Sequence, residues 1–508
     1  MHRSPSAEAE IGEELAARRP DLSARYARAL PGARAAVLTR LWRGLVHDRL
    51  PWAEVREAGR DGVVLRSADG RILGGPPTDP YATGAYVTAV RLGGREYADP
   101  ARLMADLAVP HSAVFAAELG HSVASLALSR AANPAYEARP DQPEEWPVRD
   151  WEWEQRVVDG HPFHPSCRSR PGLSVADQLA YGPEHRPVVG LGLLPVPAEE
   201  CLVSGAWPGW LREGERILVP VHPWQEAHVL KRAAGRRLAA RPLMALRTLA
   251  LPGGPHVKTA FSARLTSSVR DISLGSVAAS RVLSDLGEAV AARTGGLLHV
   301  TRTVAAVAAG SPDCAAVLRQ SPQEYAAGGE RVVPVAALVT TGLPDRPGWT
   351  VRLARLALEV GLRLLELGVA LEAHGQNLLV VLSPSGEPLR LVYRDLADIR
   401  LSPARLARHG IGVPPEVPDR VVTDDEQALR RKLFGSLVAG ALAGTAGSGP
   451  KLRGVLEGAV RDLPPGPDLA ALTGGPVPAK ALTLMRMSPG TAGDRWTELP
   501  NPLQFGRF

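Results

Sequence analysis

The order of helical and strand-like periodicity along the chain constrains its fold more than any other feature of the sequence. Apolar residues recur at helical spacing in five segments: 7–60, 101–132, 275–296, 349–370 and most of 403–508. A break is expected at Pro110, and the stretch 444–450 is expected to be loose. Short apolar runs broken by glycine and proline are typical of strands and fill four others: 62–94, 186–223, 241–273 and 297–345. Helices and strands in separate stretches predict an α+β fold, with a helical N-terminal part, a β-rich middle and a largely helical C-terminal part around a small sheet.

The length of the chain predicts more than one hydrophobic core. A chain of 508 residues is too long for a single ordinary core, so roughly two to four domains or subdomains are expected. The stretch 133–150, NPAYEARPDQPEEWPVRD, is rich in proline and charge and is the best candidate for a linker.

Composition narrows the function classes. The net charge of +6 invites a nucleic-acid role, but only five of the 59 basic residues are lysines and the arginines form no basic run, so no nucleic-acid partner is expected. Three cysteines, at 167, 201 and 314, form neither a disulfide framework nor a zinc pattern, which is typical of a reducing compartment. The N-terminus has no signal-peptide pattern, and no apolar run reaches the roughly 18 residues of a membrane span. A cytoplasmic protein without a membrane partner is expected.

The segment 159–172, DGHPFHPSCRSRPG, carries two His-Pro pairs followed by two arginines. Histidines three residues apart on a helix could share a metal, but Pro162 and Pro165 disfavour a helix, and no third zinc ligand stands nearby. One interpretation is a proline-shaped loop whose histidines make local hydrogen bonds. The other is a rigid loop that presents five side chains to an anion: His161, His164, Ser166, Arg168 and Arg170.

The segment 258–270, KTAFSARLTSSVR, alternates apolar and polar residues and predicts one strand. Its polar face and its end carry hydroxyl and basic groups: Lys258, Ser262, Arg264, Thr266, Ser267, Ser268 and Arg270. With Arg247 upstream, these groups could cradle a polyphosphate, although the Walker P-loop motif is absent from the chain. The alternative is a solvated polar strand face.

The segment 372–398, EAHGQNLLVVLSPSGEPLRLVYRDLAD, predicts a β-hairpin with SPSGEP as its turn. If positions 382 and 389 face each other, position 377 lies opposite 394, and Asn377 and Asp395 meet at the open end beside Glu372 and His374. Oxygen ligands from Glu372, Asn377 and Asp395 suit Mg²⁺. The alternative is a polar hairpin end on the surface.

Kinase-like phosphotransferases use a related layout: a His-containing loop, an asparagine, two strands and a metal-binding aspartate. They also need a catalytic aspartate between the histidine and the asparagine, where this chain has only Gly375 and Gln376. A magnesium-dependent small-molecule phosphotransferase therefore stays an alternative that lacks its usual base.

Taken in order, these segments resemble the NRPS-independent siderophore (NIS) synthetases, the IucA/IucC (aerobactin synthetase) family. Five motifs carry the resemblance: GHPFHPSCRSRPG, VHPWQ (221–225), KTAFSARLTSSVR, EAHGQNLLVVL and YRDLADIR. Two further stretches are similar to flanking patterns of the family: AAELGHSVASLALSRA (116–131) and PAKALTLMRM (478–487). The resemblance thus extends from about residue 110 to about residue 490.

The resemblance implies an activity and an architecture. Members of this family activate a carboxylate, usually citrate or a citryl derivative, with ATP, release pyrophosphate, and pass the acyl group from the adenylate to an amine or hydroxyl. It thus implies an AMP-forming carboxylate–amine ligase of siderophore biosynthesis, with ATP and Mg²⁺ as cofactors, a citrate-like acid and a polyamine or amino-acid-derived nucleophile as substrates, and a homodimer. The implied fold is a cupped hand of thumb (1–145), fingers (146–345) and palm (346–508).

The resemblance also implies roles for individual residues. The implied ATP-binding residues are Arg247, Lys258, Thr266, Ser267, Arg270, His374, Asn377 and Asp395. The implied carboxylate-binding residues are His161, His164, Ser166, Arg168 and Arg270. Glu372, Asn377 and Asp395 would hold magnesium, and Arg270, His374 and His164 would be catalytic. Two positions depart from the family: Arg168 replaces a lysine, and Ala245 stands where a serine is frequent.

Two identities stay open at this point. The sequence does not distinguish citrate from a citryl monoamide, 2-oxoglutarate or a chain-extended carboxylate, and it does not identify the nucleophile. A non-catalytic protein that binds an anionic metabolite is a third hypothesis beside the ligase and the phosphotransferase. The nucleotide products would separate the three.

Overall fold

The computed structural model describes residues 6–134, 136, 138–265, 268–490 and 493–504. Its α-helices, numbered in chain order, are α1 Ala7–Arg18, α2 Pro20–His47, α3 Pro100–Leu107, α4 Ser112–Ala132, α5 Asp150–Gln155, α6 Val175–Tyr181, α7 Pro223–Gln225, α8 Leu274–Ala291, α9 Trp349–Leu367, α10 Pro403–Arg408, α11 Glu426–Ser436, α12 Ala443–Ala446, α13 Gly449–Val460, α14 Pro467–Gly474 and α15 Leu482–Met487. The mixture of helices and strands confirms the α+β class.

The strands are numbered in the same way. They are β1 Ala53–Gly59, β2 Gly62–Ser67, β3 Ile72–Gly75, β4 Val90–Leu92, β5 Arg95–Tyr97, β6 Val189–Pro197, β7 Cys201–Gly205, β8 Arg212–Glu213, β9 Arg216–Val221, β10 Arg236–Pro242, β11 Thr248–Ala250, β12 His256–Thr259, β13 Phe261–Leu265, β14 Ser268–Arg270, β15 Leu298–Val300, β16 Thr303–Ala309, β17 Ala315–Arg319, β18 Arg331–Pro334, β19 Val369–Ala370, β20 Leu378–Leu382, β21 Pro388–Tyr393, β22 Arg400–Leu401, β23 Val477–Lys480 and β24 Trp496–Leu499.

Three larger sheets organise these strands. A five-stranded N-terminal sheet runs β1-β2-β3-β4-β5, and a nine-stranded sheet runs β7-β16-β17-β12-β11-β10-β6-β9-β8. A four-stranded sheet of order β15-β21-β20-β18 contains a parallel pair, β15 with β21. The described residues also form three two-stranded pairs: β13–β14, β19–β22 and β23–β24.

The N-terminal part follows the predicted helices with one exception. Pro110 separates α3 from α4, as expected, and Pro20 begins α2 at a position where its missing N–H costs nothing. The helical prediction for 7–60 is wrong over its last residues, because Ala53–Gly59 forms the edge strand β1 and pairs with β2. The polar residues of β1 are mostly exposed, so pairing with its neighbour decides its conformation.

The prediction of one strand over 258–270 is also wrong. Lys258 lies on β12 inside the nine-stranded sheet, whereas β13 and β14 form a separate hairpin that begins at Phe261. The hairpin is tied down by Gln225, which donates to the Ser262 hydroxyl at 2.8 Å and accepts from the Ser262 amide at 2.8 Å. Lys258 and Ser262 therefore do not share a strand face. The stretch 444–450, expected to be loose, contains the end of α12 and the start of α13.

The predicted C-terminal hairpin forms the centre of the four-stranded sheet. Leu378 pairs with Tyr393, and the Arg394 amide donates to the Asn377 carbonyl at 3.1 Å, so position 377 lies opposite 394 as predicted. The register shifts by one residue near the turn, where Leu382 pairs with Pro388 instead of Leu389.

Apolar side chains form three large buried clusters among the described residues. One lies mostly within 11–131, a second within 189–318, and the third mostly within 279–499 together with Trp146 and Trp153. The proposed division at 145/146 and 345/346 stays a prediction. None of the described helices combines the length and the apolar character that crossing a bilayer requires.

A buried ion pair ties α5 to the open end of the C-terminal hairpin. The Arg394 guanidinium donates to both carboxylate oxygens of Glu154 at 2.7 and 3.0 Å, and only 7% and 1% of the two side chains are exposed. Arg394 also donates to the Gln376 carbonyl. Removing one partner would leave a buried charge uncompensated.

We expect Glu154→Gln to lower the free energy of unfolding by about 3–5 kcal/mol, because Arg394 loses its counter-charge. Urea denaturation at pH 7, followed by circular dichroism, measures the change. Glu199→Gln, at an exposed position, is the matched control. Equal stability of the two variants would contradict this role of the pair.

Candidate active site

The loop 159–172 is held by hydrogen bonds to its own histidines. His161 Nδ1 accepts from the amides of Phe163 and His164 at 3.1 Å each, and His164 Nδ1 accepts from the Ser166 amide at 2.9 Å. The two rings lie 6.1 Å apart; His161 is exposed and His164 is buried. The Ser166 hydroxyl is fully buried and has no hydrogen-bond partner among the described residues.

The arginines of this loop hold the loop itself. Arg168 donates to the carbonyls of Val157 and Val158 and lies 3.3 Å from Glu184. Arg170 donates to both oxygens of the same carboxylate at 2.7 and 3.0 Å. Glu184 is completely buried, so two guanidinium groups share one buried counter-charge. The observed contacts of Arg168 therefore depart from the expectation that it contacts a substrate carboxylate, because its donors are engaged inside the protein.

The second part of the site is the loop before β20 and the residue after β21. The Tyr393 hydroxyl accepts from the Glu372 amide at 3.2 Å and donates to the Asp395 carbonyl at 3.3 Å, which fixes both ends of the hairpin to one ring. Gly375 packs so closely that an added Cβ would lie 2.9 Å from the Ala336 nitrogen. The loop that carries His374 is therefore set by close backbone contact.

Asp395 is the centre of a group of cations from different elements. Its backbone has φ 74°, a left-handed conformation that is uncommon outside glycine and frequent at functional sites. Its carboxylate lies 2.7 Å from Lys258 Nζ on β12 and 3.7 Å from Arg319 on β17. Arg247 is close enough to influence the same carboxylate and donates to the carbonyl of Arg270. Three basic side chains thus converge at the end of the C-terminal hairpin.

The electrostatics of this group follow from its burial. Burial lowers the pKa of Lys258 from 10.5 to about 8; Asp395 opposes this effect, and the charges of Arg247 and Arg319 add to it. Burial would raise the pKa of Asp395, but Lys258 and Arg319 hold it far below its ordinary value. Asp395 is therefore ionised, and Lys258 loses its proton more readily than an exposed lysine does.

A second charge cluster surrounds Glu372. Lys480 Nζ lies 2.6 Å from Glu372 and 3.1 Å from Asp494, while the buried Lys432 Nζ lies 2.6 Å from Asp398 and 3.3 Å from Glu372. The three carboxylates each offer an oxygen within 4.8 Å of the others. Such a set could hold a cation, and here two ammonium groups compensate it.

Charge effects show that the two parts of the site are neighbours. Burial lowers the pKa of His164 to about 3, and the charges of Arg486, Arg270 and Arg40 lower it further. The pKa of His374 is also lowered, by burial, against the opposing charge of Glu372. The predicted residues that the structure brings together are His161, His164, Arg247, Lys258, Arg270, Glu372, His374, Asn377 and Asp395. Thr266 and Ser267 lie outside the described residues.

Sequence reasoning missed several charged residues of the site. Arg319 faces Asp395 because β17 pairs with β12, with Lys258 opposite Val317 and His256 opposite Arg319. That register cannot be read from the motif alone. Lys480 lies in the stretch PAKALTLMRM and Asp398 in YRDLADIR, so both had a usable signal, whereas Lys432 and Asp494 join the site only through tertiary packing.

The arrangement suits a polyanion that must be held beside a second anion. Lys258, Arg247, Arg319 and Arg270 supply positive charge, and the histidines supply further hydrogen-bond donors. Glu372, Asn377 and Asp395 supply oxygen ligands of the kind that Mg²⁺ prefers.

Two family models match the chain. Residues 150–340 match the IucA / IucC family, and residues 348–490 match the ferric iron reductase FhuF-like transporter. The segment 150–340 therefore belongs to the IucA/IucC family, and the resemblance inferred from the motifs is confirmed.

A curated relative and two solved structures extend the comparison. A citryl-spermidine/3,4-dihydroxybenzoyl-citryl-spermidine:spermidine ligase of Bacillus anthracis is 26% identical over 323 residues, which are 49% of this chain and 51% of the relative. The match thus spans about half the length of that protein.

The solved structures match nearly the whole chain. The petrobactin biosynthesis protein AsbB of Bacillus anthracis has a TM-score of 0.76 at 17% identity, with 96% of this chain and 98% of the other covered. ATP-bound aerobactin synthetase IucA of Klebsiella pneumoniae has a TM-score of 0.71 at 18% identity, with 93% and 99% covered. At these identities the likeness establishes the fold, which is that of the siderophore synthetases.

We expect Lys258 to titrate with a midpoint near 8 in the ligand-free protein, because burial and two neighbouring arginines lower its pKa. Reductive methylation with ¹³C-formaldehyde labels the five lysines for NMR. The Lys258→Arg variant identifies the signal by its loss, and Lys480, whose pKa is raised, is an internal reference. Normal midpoints near 10.5 for every lysine would contradict the buried-cation account.

Proposed function

We propose that the chain is an ATP-dependent synthetase of siderophore assembly. It activates a citrate-like carboxylate as an acyl-adenylate, condenses it with an amine or hydroxyl, and releases AMP and pyrophosphate. The observation that carries the proposal is the convergence of Lys258, Arg319 and Arg247 on Asp395, beside Arg270 and the histidine loop. The family match of residues 150–340 and the ATP-bound structural relative support it.

Charge explains why such a reaction needs this site. A triphosphate and a tricarboxylate repel each other, so a carboxylate oxygen reaches the α-phosphorus only where cations offset both charges. Donors fixed where negative charge develops lower the barrier, and one such donor is worth roughly 2.7–4 kcal/mol. Holding the two reactants in line removes a further entropic cost. Arg270, which donates one long hydrogen bond of 3.4 Å to the Leu265 carbonyl, has donors left for this role.

A magnesium ion fits the open end of the hairpin by the chemistry of its donors. Asp395 and Glu372 are both held ionised by neighbouring cations, and Asn377 adds an amide oxygen. These three residues would hold the ion, which when bound would offset phosphate charge and orient the nucleotide. When the ion and the nucleotide bind, Lys258 and Arg319 would exchange their ion pairs with Asp395 for ion pairs with the phosphates. No buried charge would then be left without a partner.

The nucleophile needs little activation in this scheme. A neutral amine attacks an acyl-adenylate without a dedicated base, because AMP is a good leaving group. The name of the relative from Bacillus anthracis, a citryl-spermidine ligase, supports citrate as the acid and a polyamine as the nucleophile. An amino-acid-derived amine is the other nucleophile class that we retain.

Nucleotide products test the proposal. Purified protein is incubated with Mg-ATP, citrate and hydroxylamine as a surrogate nucleophile, and the nucleotides are separated by chromatography. We expect AMP and pyrophosphate that depend on citrate. Formation of ADP with a phosphorylated substrate would instead indicate the phosphotransferase, and absence of turnover with every carboxylate tried would indicate a binding protein.

The same assay tests the site. We expect Arg270→Ala to lower kcat by about 10²–10³-fold, because a donor aimed at the developing charge is lost. His374→Ala should abolish turnover with the fold intact. Arg212→Ala, at an exposed position on β8, is the matched control and should retain full activity. Normal activity of folded Arg270→Ala protein would remove this residue from the site.

A further inference from the structure

The histidines of the loop 159–172 share one hydrogen-bond arrangement. His161 Nδ1 accepts two backbone amides at 3.1 Å, and His164 Nδ1 accepts the Ser166 amide at 2.9 Å. A ring nitrogen that accepts an N–H carries no proton of its own. The hydrogen bond at one ring nitrogen thus decides the tautomer, and the proton of each neutral ring lies on Nε2.

The sequence builds this arrangement locally. Pro162 and Pro165 hold the preceding histidines in extended backbone and carry no N–H, so the amide two residues after each histidine turns back onto its ring. The same turn recurs at His222, whose Nδ1 accepts the Trp224 amide at 3.1 Å. Because His222 is fully buried in the core, the turn needs no ligand to form.

The charges around the two rings favour the neutral form. The cations that face them come from several elements: Arg40 and Arg43 on α2, Arg270 on β14 and Arg486 on α15, with His374 beside His161. Arg486 is paired with Glu118 of α4, and Arg40 donates to the carbonyls of Asp159 and Pro162. A second proton on either ring would add positive charge to this group and would place an N–H against a backbone N–H.

We infer that the two His-Pro turns lock His161 and His164 as neutral imidazoles with the proton on Nε2, so that both act as uncharged hydrogen-bond donors to the carboxylate or phosphate oxygens. This inference rests on the proposed function for its ligand, but not for the tautomer.

The lock limits what the two histidines can do. Neither ring can accept the proton of an incoming amine at Nε2, because that nitrogen already carries one. Neither can bind a metal through Nδ1, because a backbone amide occupies its lone pair. Their contribution is therefore donation to an oxygen in a pocket where arginines already supply the charge.

Nitrogen NMR of the ligand-free protein tests the tautomer. The protein is labelled with ¹⁵N-histidine, and His161→Gln and His164→Gln assign two of the 13 histidine signals. We expect both rings to show a proton on Nε2 and none on Nδ1, unchanged between pH 8 and pH 6. A proton on Nδ1, or titration of both rings near pH 6.5, would overturn the inference, whatever the reaction of the protein.

Two matched substitutions test the donor role. Asparagine at position 164 keeps an acceptor where Nδ1 stands and favours the same turn, but it has no group at the Nε2 position. Glutamine places an N–H donor near Nε2 and loses the acceptor. We expect His164→Asn to fold with an unchanged Tm and to lose about 10²–10³-fold in kcat, whereas His164→Gln should lose about tenfold or less.

The order of the two variants decides the outcome. Equal activity of folded His164→Asn and folded His164→Gln would overturn the donor role. The NMR measurement would test the tautomer separately. If neither the wild type nor any variant turns over ATP, the proposed function fails and the tautomer assignment stands or falls on its own measurement.

Discussion

The contact between Lys258 and Asp395 joins the two sheets that form the site. Lys258 belongs to β12 of the nine-stranded sheet, Asp395 follows β21 of the four-stranded sheet, and 2.7 Å separate their charged atoms. The left-handed backbone of Asp395 costs about 1–3 kcal/mol for a residue other than glycine. The ion pairs with Lys258 and Arg319 offset that cost, so the geometry that places oxygen ligands beside basic groups depends on this contact.

The same principle of internal compensation extends across the site. Glu372, Asp398 and Asp494 are neutralised by Lys432 and Lys480, as Asp395 is by its own cations. A buried charge without a partner is costly, so a site for a polyanion must supply substitute partners when it is empty. When the polyanion binds, the basic side chains would therefore exchange their carboxylate partners for oxygens of the polyanion. Neutral histidines fit the scheme because they add donors without adding charge that an empty site would have to offset.

The sequence predicted elements whose signal is local and missed those set by tertiary pairing. The helix α4 after Pro110 and the pairing of position 377 with 394 both follow from short-range patterns. Strand β1 was missed because its alanines and charged residues favour a helix in isolation, and pairing with β2 overrides that preference. Arg319 reaches the site through the register of β12 with β17, which no single motif contains. The contact of Arg168 with Glu184 could not be predicted either, because Glu184 lies outside every recognisable motif.

Transfer of ¹⁸O from citrate to AMP tests the central claim most directly, namely that the chain joins a carboxylate to the α-phosphorus of ATP. Citrate labelled with ¹⁸O in its carboxylates is incubated with the protein, Mg-ATP and hydroxylamine, and the AMP is analysed by mass spectrometry. The account predicts one labelled oxygen in each AMP, because a nucleophile that attacks the acyl carbon leaves the carboxylate oxygen on phosphorus. Unlabelled AMP, or label that appears only in inorganic phosphate beside ADP, would contradict it.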